Sequence, residues 1–253
     1  MALDRTSGVR LGQVIAALSL ATDLAMGQPV EFALKSCVLA TRIGHQLSLS
    51  AGEMVEIYYQ SLLRYIGCNA ETHAMAALLG DEIDFRRDFA RIDPGRANEM
   101  GALVFAHLRR ANADSGALEF LAGVTRGLIT SGKVSAEILA GHCEVAERLA
   151  ERLSLSQGVC RNLGQLYERW DGRGLPRGLK GKAIALAVRI VSFAQDAIVL
   201  RAAFGPAAAE AKLKARQGHA YEPRLVDLFV RGSGQLTAGL DDTTWDAVLA
   251  LEP

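Results

Sequence analysis

Apolar residues recur at intervals of three and four along almost the whole chain, and the period-two alternation typical of strands is absent. Gly27 and Pro29 separate the first two helical segments, and Ser50 with Glu53 forms a capping box before the third. The pattern predicts helices over residues 11–26, 29–47, 50–67, 71–79, 82–91, 97–110, 115–130, 135–153, 156–170 and 183–204, and two more that open near residues 221 and 241. We therefore expect an all-α protein.

The segment 183–204 is the most apolar part of the chain and is expected to form a central buried helix. Half of the 253 residues are hydrophobic, which is enough for a large core. The 28 basic and 28 acidic residues cancel, so we expect no direct nucleic-acid binding, which usually needs a basic excess. No apolar run approaches the roughly 20 residues that cross a bilayer, and the N-terminus lacks a signal-peptide pattern.

The four cysteines are Cys37, Cys68, Cys143 and Cys160. They are widely spaced and form no Cys-x-x-Cys pair, which is the usual start of a zinc or redox motif. We expect free thiols and a cytoplasmic protein, since reducing compartments keep such cysteines unpaired.

A glycine-punctuated loop between residues 167 and 182 carries the most specific signal. It is locally basic through Arg173, Arg177, Lys180 and Lys182, and its glycines favour tight turns. The loop resembles the signature of the HD-GYP family of metal-dependent phosphohydrolases, His-His-Glu-x-x-Asp-Gly-x-Gly-Tyr-Pro-x-Gly-Leu-x-Gly, followed by an apolar helix with Arg-Ile. The matching positions, in order, are Glu168, Asp171, Gly172, Gly174, Pro176, Gly178, Leu179, Gly181, Arg189 and Ile190.

Three further segments extend this resemblance over residues 29–230. Residues 142–145 are similar to the family's His-Pro-Glu-Ile helix start, 62–68 to Leu-Leu-His-Asp-Ile-Gly-Lys, and 221–226 to Phe-Asp-Pro-x-Leu-Val. The resemblance implies a helical bundle of the HD superfamily with a small N-terminal helical extension. We expect one domain over residues 1–253, made of an N-terminal helix (1–28), a first HD-like half (29–92), connecting helices (93–134), a GYP-like half (135–232) and a C-terminal helix (233–253).

The positions at which the family holds its metals have other residues here. The His-Asp pair falls on Arg64 and Tyr65, and the paired histidines fall on Leu166 and Tyr167. The first metal histidine falls near Phe32 and the later metal aspartate on Gln195, so among the expected ligands only His142 matches. Arg64 would put a fixed positive charge where a divalent cation should sit. The resemblance with these departures implies a degenerate metal centre and no metal cofactor.

The expected ligand-binding cavity is the former active site. Its candidate residues are Arg64, Tyr65, His142, Tyr167, Glu168, Asp171, Arg173 and Gln195. A buried arginine needs an anion, so we expect Arg64 to pair with Glu168 or Asp171, or alternatively with a ligand carboxylate or phosphate. In the family, the carboxylates at the positions of Glu168 and Asp171 brace the loop. If the protein binds a metal, the expected metal is iron or manganese, and His142 and Asp196 are its candidate ligands. Asp81, Glu82 and Asp84 are the other possible ligands.

These departures lead to a first hypothesis of a non-catalytic sensory or regulatory domain that binds a small molecule, a nucleotide or a partner domain. The first alternative is a metal-dependent phosphohydrolase, such as a cyclic-dinucleotide phosphodiesterase, with an atypical metal site. The second alternative is a dimerisation scaffold, since amphipathic helices can form a self-association face. The resemblance also implies a possible adjacent HD-GYP or LuxR-type domain in a longer protein, and a homodimer is possible.

Overall fold

A computed structural model describes residues 8–67, 81–111, 139–240 and 244–253. Within these ranges the chain is helical and contains no β-strand, so the all-α prediction is confirmed. The helices are α1 (Leu11–Ala25), α2 (Phe32–Gln46), α3 (Ala51–Leu63), α4 (Glu82–Phe89), α5 (Ala97–Ala111), α6 (139–152), α7 (Gln157–Leu163), α8 (Leu186–Phe204), α9 (Pro206–Ala215), α10 (Pro223–Leu236) and α11 (Thr244–Ala250). The helices predicted over 71–79 and 115–130 lie outside the described residues.

Local sequence signals explain most of the helix ends. At α3 the Glu53 N–H donates to Ser50 Oγ, and the Glu53 carboxylate accepts from the Ser50 N–H, as the capping box predicts. Gly205 has a φ of +78° and stops α8, and Pro206 begins α9 at once. The helix predicted over 156–170 was too long. It ends at Leu163 because Gly164 begins an irregular segment that leads into the glycine loop.

The core is built around α2, α3 and α8, which pack against one another. Helix α8 buries eleven of its side chains, which confirms the central helix expected from the apolar run. Helices α1 and α11 cover α2 from one side, α9 lies along α8, and α10 contacts both α2 and α9. A small separate cluster joins α4 to α5 through Phe85, Leu103 and Leu108. The proposed division into halves stays a prediction.

The N-terminal extension is tied to the rest of the fold at both ends. The Gly12 N–H donates to the Glu252 carboxylate at 2.7 Å, and Arg10 forms an ion pair with the same carboxylate. At the other end the buried Asp23 accepts the Ala33 N–H at the start of α2. Helix α1 therefore has a fixed position on the bundle.

Within the described ranges, no helix combines the length and the apolar character that a membrane crossing requires. Cys37, Cys143 and Cys160 are free thiols, as expected, and Cys68 lies outside the described residues.

Candidate functional site

The candidate site lies where the end of α3 meets α6 near His142. Gly67 lies directly against the backbone of His142, so a Cβ at Gly67 would come within 2.0 Å of the His142 carbonyl oxygen. Three residues before Gly67, the Arg64 guanidinium donates from Nη1 to the Ser192 hydroxyl on α8 at 2.5 Å. Three parts of the chain that are far apart in sequence thus converge here, as the resemblance implied.

Arg64 does not form the ion pair that the sequence suggested. Within the described ranges, it bonds to the neutral Ser192 hydroxyl, and no carboxylate forms a salt bridge with it. Its Nε is buried without a hydrogen-bond partner, and the guanidinium lies 5.8 Å from the ring centre of Tyr65. The positive charge of Arg64 is therefore open to an anion, the alternative that the sequence left open.

His142 is buried, with only 5 % of its surface exposed. Its Nδ1 lies 3.2 Å from the hydroxyl oxygen of Tyr167, while its Nε2 has no hydrogen-bond partner. Burial, together with the positive charge of Arg86, lowers the pKa of His142 to about 4. The imidazole is consequently neutral at neutral pH.

Gln195 lies on α8, one turn beyond Ser192, and is completely buried. Neither its amide oxygen nor its amide nitrogen has a hydrogen-bond partner, and the same holds for Gln60, one turn before Arg64 on α3. A buried polar group without a partner costs about 1–3 kcal/mol, so such groups normally meet water or a ligand. The site thus offers both donors and acceptors that nothing in the described fold engages.

The glycine loop is held from inside by Glu168. This buried carboxylate accepts the backbone N–H groups of Arg177 and Leu179, each at 2.8 Å. Gly174 passes so close to residues 167–169 that an added Cβ would lie 2.4–2.5 Å from three backbone atoms, including the Tyr167 carbonyl oxygen. The loop therefore requires both the carboxylate and the glycine that the family signature contains.

Asp171 is the second brace of the loop. Its carboxylate accepts the Arg173 N–H at 3.0 Å and lies 3.5 Å from the Arg169 guanidinium. Arg169 in turn pairs with Asp93 at 2.9 Å and so ties the loop to the chain between α4 and α5. The carboxylates thus position the loop, while the side chains of Arg173 and Arg177 stay exposed beside it.

Asp196 belongs to a different polar cluster. Its carboxylate accepts the Tyr221 hydroxyl at 2.5 Å and lies 3.9 Å from the Arg216 guanidinium. Burial, with the charge of Asp196, raises the pKa of Tyr221 well above its usual value, so the phenol remains a donor. Sequence reasoning missed Arg216, Ser192 and Arg86 because no motif marks them, and it did not assign Tyr221 to the site although this residue begins the segment that resembles Phe-Asp-Pro-x-Leu-Val.

The described residues do not fit a metal centre. No group of three or more His, Cys, Asp or Glu side chains comes together within the described ranges. Asp81 accepts the Asp84 N–H as a helix cap, Asp84 pairs with Arg87 at 2.7 Å, and the side chain of Glu82 is not among those described. The degenerate centre stays a prediction, since the described ranges leave out residues 68–80 and 112–138.

A surface groove of about 550 Å³ lies elsewhere, between the end of α2 and one face of α10. Gln46, Leu47, Arg224, Asp227 and Arg231 contribute to its walls. None of the candidate site residues lines it, so the groove is separate from the site.

Comparison with known proteins relates the chain to hydrolases of cyclic dinucleotides. Residues 125–225 match the HD domain. The chain is 26% identical over 219 residues to the 3′3′-cGAMP-specific phosphodiesterase 3 of Vibrio cholerae, covering 86% of this chain and 47% of that protein. It is 41% identical over 97 residues to the cyclic di-GMP phosphodiesterase response regulator RpfG of Xanthomonas campestris, covering 34% of this chain and 26% of the relative.

A solved structure has the same fold. The crystal structure of a cyclic GMP-AMP specific phosphodiesterase of Vibrio cholerae, V-cGAP3, superposes with a TM-score of 0.71 at 24% identity. The superposition covers 96% of this chain and 54% of that one. The HD-superfamily bundle expected from the resemblance is thus confirmed, and the chain spans about half the length of the Vibrio cholerae relatives.

These similarities contradict the first functional hypothesis. A non-catalytic sensory domain was expected because the metal positions are replaced, but the relative that matches 86% of the chain is named as a phosphodiesterase. The inference was wrong because it took the replaced metal positions as decisive for the activity. The enzymatic alternative is the better supported one.

Proposed function

We propose that this chain, which contains an HD-superfamily phosphohydrolase-like domain, acts as a phosphodiesterase on cyclic dinucleotides. The similarity to the 3′3′-cGAMP-specific phosphodiesterase supports the substrate class, because it extends over most of the chain. Hydrolysis adds one water across one phosphodiester bond and opens the ring to a linear dinucleotide with one terminal phosphomonoester.

The observation that carries the proposal is the half-buried Arg64 side chain, whose guanidinium has a buried Nε without a hydrogen-bond partner and no carboxylate partner among the described residues. An unpaired charge inside a fold is costly, and the singly charged phosphodiester is an anion that relieves this cost. Arg86 adds positive charge near His142, which the lowered pKa of that histidine reflects. Cationic side chains at the site favour a phosphate over a neutral ligand.

Several of the other site residues have a binding role in this proposal. Gln195 supplies a buried amide, which can both donate to and accept from a nucleobase or a ribose hydroxyl. Neutral His142 is held by Tyr167 and presents Nε2 as a hydrogen-bonding atom at the phosphodiester. Exposed Arg173 and Arg177 flank the approach and attract the second phosphate of the ring. The described residues supply no metal ligand set, so we assign no step to a metal.

The test is hydrolysis of 3′3′-cGAMP and of cyclic di-GMP by the purified protein, with and without added iron(II) or manganese, followed by chromatography of the products. We expect a linear dinucleotide, and its formation is expected to fall at least tenfold in Arg64→Met and His142→Gln. Arg148→Met is the matched control, because Arg148 is an exposed arginine on α6 whose ion pair with Glu144 lies on the surface. Absence of the linear product under all of these conditions would contradict the proposal, even if the cyclic dinucleotide binds.

Two finer expectations belong to the same proposal. The chain spans about half of the Vibrio cholerae relatives, which supports the expectation of an adjacent HD-GYP or LuxR-type domain in a longer protein. The second expectation is a small-molecule ligand in the site, and binding of a cyclic dinucleotide measured by calorimetry tests it without reference to turnover.

A further inference from the structure

The chain makes a tight turn over residues 216–221, between α9 and α10. The carbonyl oxygen of Arg216 accepts the Ala220 N–H at 2.9 Å. The Gly218 N–H donates to the carbonyl oxygen of Tyr221 at 2.9 Å and closes the turn from the other end. These internal hydrogen bonds give the 216–221 turn a defined backbone course, so its two sides can hold different parts of the fold in fixed relation.

One side of the turn holds the glycine loop. The Asp171 N–H donates to the His219 carbonyl oxygen at 2.8 Å, and the Trp170 N–H donates to the Ala220 carbonyl oxygen at 3.3 Å. The Gly181 N–H, at the far end of the loop, donates to the Trp170 carbonyl oxygen at 2.9 Å. Both ends of the loop therefore depend on where the 216–221 turn lies.

The other side of the turn is fastened to α8 through Asp196. The buried Tyr221 donates its hydroxyl proton to the Asp196 carboxylate at 2.5 Å. The buried Arg216 lies 3.4 Å from that hydroxyl oxygen and 3.9 Å from the same carboxylate, and it donates to the Arg91 carbonyl oxygen at 3.2 Å. Hydrogen bonds to an ionised group are stronger than those between neutral groups. The cluster thus ties the turn to α8 one residue beyond Gln195.

The loop and α8 carry different parts of the candidate site. Gln195 lies on α8, whereas the exposed Arg173 and Arg177 lie on the loop. The Arg189 guanidinium of α8 lies 5.7 Å from the ring centre of Trp170, which adds a contact between the two. Hydrogen bonds are more directional than such a contact, so the turn fixes the orientation of the loop as well as its distance from α8.

We propose that Tyr221 is a positioning residue, whose hydroxyl fastens the 216–221 turn to Asp196 and thereby sets the place of the glycine loop relative to α8. Its effect on the substrate rests on the hydrolysis proposed above, in which Arg173 and Arg177 attract the second phosphate of the cyclic dinucleotide. Tyr221 acts through the loop and not on the reacting phosphodiester. Loss of its hydroxyl therefore weakens substrate binding more than it slows the chemical step.

Amide hydrogen exchange followed by NMR tests the positioning without reference to turnover. Tyr221→Phe removes one hydroxyl and keeps the ring that packs edge-on against Phe193 at 5.3 Å, so the fold is kept. We expect the exchange of the Trp170 and Asp171 amide protons to accelerate at least about tenfold. The two amides that Glu168 holds inside the loop should change less than about threefold, because their acceptor moves with them.

Tyr59→Phe is the matched control. It removes the hydroxyl of another buried tyrosine that bonds to a carboxylate, that of Glu252 beside the start of α1. Both variants should lower Tm by a similar amount, about 2–4 °C, but only Tyr221→Phe should free the loop amides. Unchanged exchange of Trp170 and Asp171 in Tyr221→Phe overturns the proposal.

Steady-state hydrolysis of 3′3′-cGAMP tests the consequence for the substrate. Tyr221→Phe is expected to raise KM at least about fivefold and to keep kcat within about twofold. In a background with Arg173→Met and Arg177→Met the same substitution should change KM less than about twofold, because the side chains through which it acts are gone. The full fivefold rise in that background overturns the proposal, since a merely structural defect would persist there.

Asp196→Asn is the conservative companion, since its amide keeps an oxygen that can accept the Tyr221 hydroxyl. It should change KM less than about threefold and leave kcat almost unchanged. A selective loss of kcat in Asp196→Asn would place this carboxylate in the chemical step and overturn the positioning role. If the unmodified protein hydrolyses no cyclic dinucleotide, the function proposed above fails, and the amide exchange alone decides whether Tyr221 positions the loop.

Discussion

The buried carboxylate of Glu168 accepts the backbone N–H of Arg177 at 2.8 Å, and it accepts a second N–H two residues later. One side chain at the start of the loop thereby fixes the return path of the chain nine to eleven residues on. This contact explains why a segment rich in glycine and basic residues has a defined course beside the site. It also gives the family signature a physical reason, since only an acceptor with two free oxygens can take both donors.

Glu168→Gln is expected to destabilise the protein by about 2–3 kcal/mol. The amide keeps one acceptor oxygen but turns an NH₂ group toward the other backbone N–H, so one donor loses its partner. Urea unfolding followed by circular dichroism measures the change. Glu144→Gln is the control, because that carboxylate pairs with Arg148 on the surface and should contribute less than about 1 kcal/mol. Equal effects of the two substitutions would contradict the bracing role.

Gly67→Ala is expected to cost more than about 3 kcal/mol and to lower the affinity for a cyclic dinucleotide. The added methyl would meet the His142 carbonyl oxygen at 2.0 Å, and this backbone atom moves only if α6 moves. Thermal unfolding and calorimetry measure the two effects.

The matched control for this change is Gly52→Ala, in the first turn of α3. No atom lies within 4 Å of a Cβ at that position, so the substitution should be neutral or stabilise the helix by up to about 1 kcal/mol. If Gly67→Ala changes stability no more than Gly52→Ala does, the end of α3 and α6 do not approach each other this closely.

The sequence predicted the fold well because the fold depends on periodic signals. The capping box at Ser50 and the break at Gly205 each act through neighbouring residues, and both appear in the structure as expected. The partner of Arg64 could not be predicted in the same way. Ser192 lies 128 positions away, and a serine within an apolar helix carries no signal of its own.

The chemistry of the site was harder to predict for a related reason. Comparison with a family motif shows which of the family's residues has been replaced. It does not show which contacts the neighbouring side chains make instead. Asp196 is adjacent to the motif position in sequence, yet it bonds to Tyr221 in a cluster completed by Arg216, and both partners lie in the segment between α9 and α10. Arg86 influences His142 from a helix to which no family motif was assigned.

Gln195→Met is expected to stabilise the ligand-free protein by about 1–3 kcal/mol and to weaken binding of a cyclic dinucleotide at least tenfold. Methionine has nearly the same shape but removes two buried polar atoms that lack partners. Gln60→Met, on α3, is the control. It also removes buried polar atoms without partners, so it should stabilise the protein by a similar amount, but it should weaken binding of the cyclic dinucleotide less. A loss of stability in Gln195→Met would mean that the amide is already satisfied inside the fold.

The stability of the protein should depend on pH through Asp23. Burial raises the pKa of this carboxyl from 3.8 to about 7, although the Ala33 and Phe32 N–H groups oppose the shift. The folded state therefore holds a proton on Asp23 that the unfolded state has already released. The contribution of this proton to the free energy of unfolding is complete below pH 3.8, falls as the pH rises, and is lost above about pH 7.

Asp23→Asn removes this dependence and keeps an oxygen that can accept the Ala33 N–H. Relative to the unmodified protein, the variant should gain up to roughly 4 kcal/mol of unfolding free energy between about pH 4 and pH 8. For His142→Gln the expected change in the pH dependence of stability has the opposite sign. Because the pKa of His142 is lowered to about 4, the unmodified protein loses stability as the pH falls below 6.5, and the variant does not. Urea titrations of the three proteins across this range measure both slopes. A free-energy difference between Asp23→Asn and the unmodified protein that does not change with pH would show that Asp23 titrates normally, and hence that its carboxyl is not buried between α1 and α2.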